Sequence, residues 1–170
     1  DMDFRALLSR QGTSEEVAKK LLGETRPGMP QVEMKQEIAR IGRALEIVRN
    51  VEHLRSLGLD ASYYSCDVTD PGRVKTVLDR IVKRHKKIDG IVHGAGILVD
   101  RLIKEMAPED FSSVVDVKFL GAWNLFQAAK SSGLRFFACL SSAASIQGNP
   151  GQCNYAAGNR MMSALMTHLH

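Results

Sequence analysis

The sequence has no long hydrophobic run. Its apolar stretches fall well short of the roughly 18 consecutive residues that a membrane-spanning helix requires, and charged residues interrupt the opening stretch DMDFRALLSR. A secretory signal peptide needs an uninterrupted apolar segment at that position. The sequence therefore predicts a cytoplasmic protein without a membrane partner.

Cysteine is also scarce. The three cysteines, Cys66, Cys139 and Cys153, form an odd set without the spacing of metal ligands. This pattern favours reduced, packed thiols over a disulfide framework. The remaining composition, 44% hydrophobic and 25% charged, is that of an ordinary globular protein, and a chain of 170 residues corresponds to about one domain.

A small excess of basic residues gives a formal net charge of +4. Part of it lies in the run KRHKK at residues 83–87, which has two interpretations. The run could bind nucleic acid or phosphate, or it could be the solvated end of an amphipathic helix, where cations favour the negative end of the helix dipole. Because an amphipathic helical pattern precedes the run, the second interpretation is favoured and no nucleic-acid partner is expected.

Short β-prone runs alternate with amphipathic helical patterns along the chain. This alternation predicts βαβ units and a parallel sheet, and hence an α/β fold. The β-prone runs are residues 4–10, 62–66, 88–93 and 136–140.

The helical patterns begin with recognisable signals. Thr13 and Glu16 form a capping box for a short helix that Gly23 can terminate. Residues 32–57 form a long amphipathic pattern, interpreted as a crossover helix packed on the sheet, with a partner-binding coiled coil as the alternative. Pro71 suits the first turn of the next helix. Two further helices are predicted, one at residues 108–130 and one beginning near Tyr155.

Each predicted strand ends in a distinctive polar or small side chain. The carboxyl ends of parallel strands meet at one edge of the sheet, where ligands of open α/β folds bind. We therefore expect an extended cofactor along that edge. The residues at these strand ends are Arg10, Asp67, Gly94, Ala95, Gly96 and Ser142.

The segment from residue 67 to residue 159 resembles the catalytic half of a short-chain dehydrogenase/reductase, and more closely the ketoreductase domain of type I polyketide synthases and polyunsaturated fatty acid synthases. The matching motifs are SCDVTD (65–70), DGIVHGAGIL (89–98), the helix around Lys118, and LSSAASIQGNPGQCNYAAGN (140–159). The resemblance implies a Rossmann-like, doubly wound parallel sheet. It also implies NADPH-dependent reduction of a β-ketoacyl thioester, carried on an acyl carrier protein, to the β-hydroxyacyl form within a larger synthase polypeptide.

The resemblance implies that Tyr155 is the general acid of this reaction. A free phenol has a pKa of about 10, so a nearby cation must make its proton transferable at neutral pH. In the wider superfamily that cation is a lysine four residues after the tyrosine, a place that Asn159 holds here. The resemblance implies that Lys118 supplies the ammonium instead, with Asn159 helping to orient it. A Lys118 exposed on the helix surface is the alternative.

Ser142 lies 13 residues before Tyr155, the separation at which the family carries the serine that hydrogen-bonds the substrate carbonyl. Ser141 is the alternative, and successive strand residues point to opposite faces, so the two hydroxyls should diverge. The resemblance favours Ser142. Without the tyrosine downstream, the serine pair would be interpreted as ordinary polar residues that end a strand.

The resemblance also implies contacts with the base and phosphate of the cofactor. Asp67, followed by Val68, matches the aspartate that hydrogen-bonds the adenine amino group, although it also suits a helix N-cap near Pro71. Arg10 matches the arginine that binds the 2'-phosphate of NADPH, a contact that suits a guanidinium.

The ribose contacts come from small residues and a cation. Gly94, Ala95 and Gly96 match a turn that lets the backbone approach the cofactor ribose closely. Lys118 is implied to hold the ribose as well as to tune the tyrosine.

Asp100 bears on the configuration of the product alcohol. It lies 18 residues before Lys118, where ketoreductases of one stereochemical type carry the second aspartate of an LDD signature. This chain reads LVD at residues 98–100, so the signature is incomplete. Ketoreductases of the opposite type carry a tryptophan in the loop before the catalytic tyrosine, a region that Gln147 occupies here. Together these features favour the LDD type.

The sequence lacks the glycine-rich turn that receives the pyrophosphate in such reductases. We therefore expect residues 1–170 to be a partial ketoreductase domain, truncated at both ends, whose central strand lies outside this sequence. The main alternative is a non-catalytic structural or docking remnant of a reductase fold within a synthase. A free-standing reductase of a small alcohol or sugar is less favoured, because Asn159 stands where it needs lysine.

Overall fold

The structure is a computed structural model that describes residues 12–169. The predicted strand at residues 4–10, with Arg10, lies outside the described residues. The chain divides into two compact units, with the boundary between Tyr64 and Ser65. Each unit has its own buried hydrophobic core.

The first unit is a helical hairpin. Helix α1 spans Ser14–Thr25 and helix α2 spans Gln31–Ser56. The predicted capping box is present, because Glu16 N donates to Thr13 Oγ1 at 3.2 Å and Thr13 N donates to Glu16 Oε2 at 2.7 Å. The hydrogen bond from the Thr13 backbone stabilises the carboxylate and holds the pKa of Glu16 below its ordinary value.

Two details of the hairpin differ from the sequence-based expectation. Gly23 does not end α1, which continues to Thr25 and stops shortly before Pro27, because proline disfavours helical conformation in the residue before it. The long helix matches its predicted range to within one residue at each end. The sequence analysis expected this helix to pack on the sheet, whereas its buried Ile41 and Leu45 pack against Val17, Ala18 and Leu22 of α1, so the hairpin supplies its own core.

The second unit alternates helices with strands. In chain order its elements are α3 (Pro71–His85), β1 (Gly90–His93), a 3-10 turn (Ile103–Glu105), α4 (Pro108–Ala129), a 3-10 turn (Lys130–Ser132), β2 (Phe136–Cys139), α5 (Ala144–Gln147) and α6 (Cys153–Leu169). Strands β1 and β2 pair in parallel, with Gly90 opposite Phe136 and His93 opposite Cys139. Helix α4 connects them, which gives the predicted βαβ unit.

Residues 62–66, predicted as a strand, do not form one in the structure. A β-prone run becomes a strand only when it pairs with a neighbour. In the described part of the chain the sheet has two strands, and they pair with each other. The run leads instead into a turn at residues 68–69 and the start of α3.

Pro71 and the basic run at the two ends of α3 agree with the sequence analysis, whereas the N-cap is Asp70 and not the suggested Asp67. Asp70 caps the N-terminus, because its Oδ1 accepts hydrogen bonds from Gly72 N at 2.9 Å and Arg73 N at 3.0 Å, and Pro71 occupies the first turn. At the other end the basic side chains of residues 83–87 are all exposed. This exposure supports the interpretation of the basic run as a solvated helix end.

Helix α4 is the packing centre of the second unit. One side joins Ala129 to Val74 and Leu78 of α3 in a buried cluster. Another side joins Ala122 to Met162 of α6 in a second buried cluster. A shift of α4 would therefore disturb both α3 and α6.

The cysteines and the helices offer no metal or membrane chemistry in the described residues. The three cysteines are free thiols, and burial raises the pKa of the Cys66 and Cys139 thiols, which keeps them protonated at neutral pH. Within residues 12–169 no cluster of His, Cys, Asp and Glu side chains could hold a metal ion. In the same range no helix combines the length and the hydropathy needed to cross a membrane.

Candidate active site

The carboxyl ends of β1 and β2 lie side by side. Because the strands are parallel, residues 94–96 after β1 and Ser142 after β2 leave the sheet at the same edge. Leu140 N donates to His93 O at 2.9 Å and continues the strand pairing beyond β2. The structure thus brings the predicted glycine turn and the predicted serine to one edge.

The side chain of Lys118 reaches this edge from helix α4. It is only 5% exposed, and its Nζ donates to Leu140 O at 3.1 Å. A Cβ added to Gly96 would lie 3.4 Å from Nζ, so the ammonium lies directly beside the turn after β1. The alternative of a solvent-exposed Lys118 is therefore wrong. Because a buried ammonium is costly unless it is hydrogen-bonded or paired, its presence here indicates an organised polar site.

Helix α6 brings Tyr155 to Lys118. The lysine Nζ lies 5.9 Å from the centroid of the tyrosine ring, within the range of a cation–π contact. This approach depends on Gly158, because a Cβ added there would lie 3.2 Å from Val115 Cα and 3.3 Å from Lys118 Cβ. A larger residue at position 158 would push α6 away from α4 and separate the lysine from the tyrosine.

Asn159 is fully buried one helical turn after Tyr155. Its Nδ2 donates to Tyr155 O at 2.8 Å, a bond within α6 that does not involve Lys118. Its Oδ1 is buried and has no hydrogen-bond partner among the described residues. Buried acceptors in proteins are normally satisfied, so this oxygen is available to a further donor.

The two serines after β2 point in different directions, as strand alternation predicts. Ser141 Oγ lies 2.9 Å from Ser163 Oγ of α6 and forms a hydrogen bond with it. Ser142 Oγ accepts a hydrogen bond from Ala144 N at 3.2 Å, which leaves its own proton available for donation. Ser142 therefore suits a carbonyl contact better than Ser141 does.

Asp67 follows the second predicted strand, residues 62–66, and is exposed directly before the turn at residues 68–69. Its Oδ1 accepts from Thr69 N at 2.9 Å and from Thr69 Oγ1 at 2.8 Å, and these bonds lower the pKa of Asp67. Its interpretation as the N-cap of α3 is wrong, because Asp70 fills that position. Asn124 of α4 holds the turn through hydrogen bonds from Nδ2 to Val68 O at 3.0 Å and to Thr69 O at 3.1 Å.

Asn154 was not singled out in the sequence, yet it ties the start of α6 to two other segments. It is fully buried, and its Nδ2 donates to Val99 O at 2.9 Å and to Asp110 O at 3.3 Å. Its Oδ1 accepts from Tyr155 N at 2.7 Å. The sequence offered one signal for this role, namely that Asn154 directly precedes Tyr155.

The segment that contains Asp100 contacts the loop before α6. Gln152 Nε2 donates to Asp100 Oδ2 at 2.9 Å, and Arg101 N donates to Gly151 O at 2.9 Å. Asp100 therefore contacts Gln152, which lies three residues before Tyr155 in the sequence. The stereochemical type inferred from Asp100 stays a prediction.

Two more polar side chains near the site, Asn124 and His93, were missed by sequence reasoning. Asn124 is half-buried in an otherwise apolar stretch of α4, and His93 is 2% exposed at the end of β1. A polar residue inside an apolar pattern was the available signal. The hydrogen-bond partners of these two residues could not be inferred, because each partner lies far away along the chain.

The described residues fit the sugar and base portions of a nicotinamide dinucleotide. The Lys118 ammonium has three N–H donors and uses one on Leu140 O, which leaves donors for hydroxyl groups. Gly96, which has no side chain, lies beside this ammonium. The exposed Asp67 carboxylate can accept from an amino group. Arg10, the predicted partner of the 2'-phosphate, lies outside the described residues.

Comparison with solved structures defines the class of protein. A ketoreductase described as N-terminal in the macrolactin assembly line gives a TM-score of 0.70 at 28% identity, covering 72% of this chain and 25% of that one. A ketoreductase domain from the bacillaene assembly line gives 0.68 at 28% identity, covering 89% and 35%. NAD+-bound xylitol dehydrogenase, at 23% identity, shares the fold with a TM-score of 0.68 over 71% and 48%. The chain therefore has the Rossmann-like α/β fold of the short-chain dehydrogenase/reductases, as predicted.

Sequence comparison gives the family. The KR domain model matches residues 6–170, so the chain belongs to the KR (ketoreductase) domain family, which confirms the resemblance. Highly-reducing polyketide synthase 1 of Aureobasidium melanogenum is 40% identical over 118 residues, which are 69% of this chain and 5% of that protein. Fusarin C synthetase of Gibberella fujikuroi is 39% identical over 115 residues, which are 68% of this chain and 3% of that protein. The chain thus spans only a small part of the length of these synthases.

Proposed function

We propose that this chain is part of an NADPH-dependent ketoreductase that reduces a β-ketoacyl thioester, carried on an acyl carrier protein, to the β-hydroxyacyl thioester. The observation that carries the proposal is the buried Lys118 ammonium, 5.9 Å from the centroid of the Tyr155 ring. Membership in the KR family supports ketone reduction as the reaction. The xylitol dehydrogenase that shares the fold has NAD+ bound, which supports a nicotinamide cofactor.

The residues of the chain handle the proton and the developing negative charge. The cofactor, when bound, supplies the hydride to the ketone carbon. The Tyr155 hydroxyl gives its proton to the ketone oxygen, so the carbonyl gains one hydride and one proton and becomes an alcohol. The nearby Lys118 cation stabilises the phenolate that remains, since an opposite charge favours an ionised group. Ser142 donates a hydrogen bond to the same oxygen and lowers the cost of its charge.

Asn159 takes a supporting part in this proposal. Its amide binds the backbone of Tyr155 and fixes the helical turn that carries the phenol. In synthase ketoreductases the lysine and the asparagine exchange places, and this chain has the exchanged arrangement, with Asn159 where most reductases have lysine. The amide thus orients the site while Lys118 provides the charge.

The remaining contacts follow from the same proposal. Lys118 and the turn at residues 94–96 hold the ribose, and Asp67 with Val68 contacts the adenine. Arg10 binds the 2'-phosphate, which sets the preference for NADPH. The partners are the acyl carrier protein and the rest of a synthase polypeptide, and the cytoplasmic setting expected from the sequence stays a prediction.

The first test replaces the proposed proton donor in the full-length protein. We expect Tyr155→Phe to lower kcat by a factor on the order of 10²–10⁴, the usual contribution of a general acid. Absorbance of the nicotinamide, followed with a β-ketoacyl thioester as substrate, measures the rate. The NADPH dissociation constant, measured by fluorescence, should stay within a few-fold of its original value because the ring and its packing remain.

Two outcomes would contradict the proposal. Full activity in the Tyr155→Phe protein would show that another group protonates the ketone. An unsubstituted protein that binds NADPH but reduces no β-ketoacyl thioester would favour the alternative of a structural or docking element within a synthase.

A further inference from the structure

His93 at the end of β1 is a buried polar group that the proposed mechanism does not use. Its ring is 2% exposed, and its Nε2 lies 3.2 Å from Lys118 O. A carbonyl oxygen only accepts hydrogen bonds, so Nε2 carries the proton and donates it. His93 therefore binds the backbone of the residue that supplies the ammonium.

This contact belongs to a closed set of three hydrogen bonds. The His93 ring donates to Lys118 O, Lys118 Nζ donates to Leu140 O at 3.1 Å, and Leu140 N donates to His93 O at 2.9 Å. The three residues belong to β1, α4 and the end of β2. Each bond fixes the position from which the next one starts, so the circuit determines where the ammonium lies.

Close packing holds the imidazole in place. A Cβ added to Gly121, one turn after Lys118 on α4, would lie 3.1 Å from His93 Cε1 and 2.8 Å from Val68 Cγ2. A side chain at position 121 would therefore clash with Val68 and press tightly on the imidazole, so the close approach of the helix to the ring depends on glycine here. The ring has little freedom to turn away from the Lys118 carbonyl.

The protonation state of His93 agrees with this role. Burial lowers the pKa of the imidazole, the Lys118 charge lowers it further, and the hydrogen bonds to the Lys118 and Val117 backbone oppose the shift. A neutral ring adds no positive charge beside the ammonium. His93 can thus hold Lys118 without repelling it.

We propose that His93 is a positioning residue, which fixes the Lys118 ammonium beside Tyr155 through the three-bond circuit with Leu140. The inference rests on the proposed function, in which Lys118 tunes the tyrosine and holds the ribose. Without the His93 bond, α4 is no longer tied to β1 at Lys118, and a small shift of the helix there moves the ammonium away from both partners.

A series of substitutions in the full-length protein tests this role. Gln places an amide N–H near the position of Nε2, whereas the shorter Asn does not reach it and Leu has no donor. We expect His93→Leu and His93→Asn to lower kcat/KM by a factor on the order of 10–100, as a misplaced catalytic group does. His93→Gln should stay within a few-fold of the original protein. His85→Leu, at the exposed end of α3, is the matched control and should change nothing.

A double-mutant cycle separates positioning from a merely structural role. If His93 acts through Lys118, then His93→Leu should weaken NADPH binding in the original protein but add little in a Lys118→Met background. A structural role would give the same loss in both backgrounds. Fluorescence titration of NADPH measures all four proteins, and thermal unfolding checks that each is folded.

The outcomes distinguish this inference from the proposed function. Equal activity in the Leu, Asn and Gln variants, or additive losses in the cycle, would overturn the role of His93 while leaving the reductase assignment intact. Failure of the unsubstituted protein to bind NADPH, or no effect of Lys118→Met, would overturn the proposed function and the inference with it.

Discussion

At the scale of single residues, the two serines after β2 provide a matched pair. Ser141 is engaged with Ser163, whereas Ser142 retains a free proton at the edge where the ketone oxygen is proposed to lie. We expect Ser142→Ala to lower kcat by a factor on the order of 10²–10³, the cost of losing one donor to a developing oxyanion. Ser141→Ala should leave kcat nearly unchanged. Steady-state reduction of a β-ketoacyl thioester measures both, and the reverse order of effects would refute the assignment.

The family resemblance predicted which residues carry the proposed chemistry, but not what holds them. Tyr155 and Lys118 were paired by resemblance, and the structure brings them together. The circuit through His93 joins positions 25 residues apart, and no local pattern encodes such a contact. The N-cap of α3, by contrast, was readable from the sequence, because a proline at the first helical position makes the residue directly before it, Asp70, the N-cap.

At the scale of elements, two helical glycines have opposite surroundings. A Cβ at Gly121 of α4 would lie 2.8 Å from Val68 Cγ2, whereas a Cβ at Gly23 of α1 would meet nothing within 4 Å. We expect Gly121→Ala to cost about 1–3 kcal/mol, as overpacking does, and Gly23→Ala to stabilise its helix by up to about 1 kcal/mol, the helix-propensity difference. Hydrogen exchange of the amides in each helix measures both free energies.

The prediction is tested by the sign of the stability change: Gly121→Ala should destabilise α4, and Gly23→Ala should stabilise α1. Stabilisation of α4 by Gly121→Ala would show that Val68 and His93 can move aside, which would also weaken the case for a constrained imidazole. A loss of exchange protection in α1 after Gly23→Ala would contradict the open space found beside Gly23.

Helices were predicted better than strands for a physical reason. Their capping and hydrophobic signals are local. The Thr13 capping box is present as predicted, and Pro71 occupies the first turn of α3, although the N-cap is Asp70 and not Asp67. A strand needs a partner that can lie far away along the chain. Residues 62–66 carry a β-prone pattern, yet the two strands of the described region pair with each other.

At the scale of the whole molecule, the candidate site belongs to one compact unit. Lys118, Ser142 and Tyr155 all lie after the boundary at Ser65. The hairpin of α1 and α2 has a core of its own, whereas the sequence analysis expected the long helix α2 to pack on the sheet. Amphipathic periodicity predicts that a helix buries one face, but it does not say against which element.

Separate cores predict separate responses to core damage. Leu45 is fully buried between α1 and α2, and Met162 is fully buried between α4 and α6. Truncating either to alanine removes buried contacts and leaves a cavity, which costs about 2–5 kcal/mol. We expect Leu45→Ala to lower the exchange protection of α1 and α2 alone, and Met162→Ala to lower that of α4 and α6 together with the reductase rate. Equal loss of protection in all four helices after either substitution would show that the two units unfold as one, since the free energy of a cooperative unit is shared by all its amides.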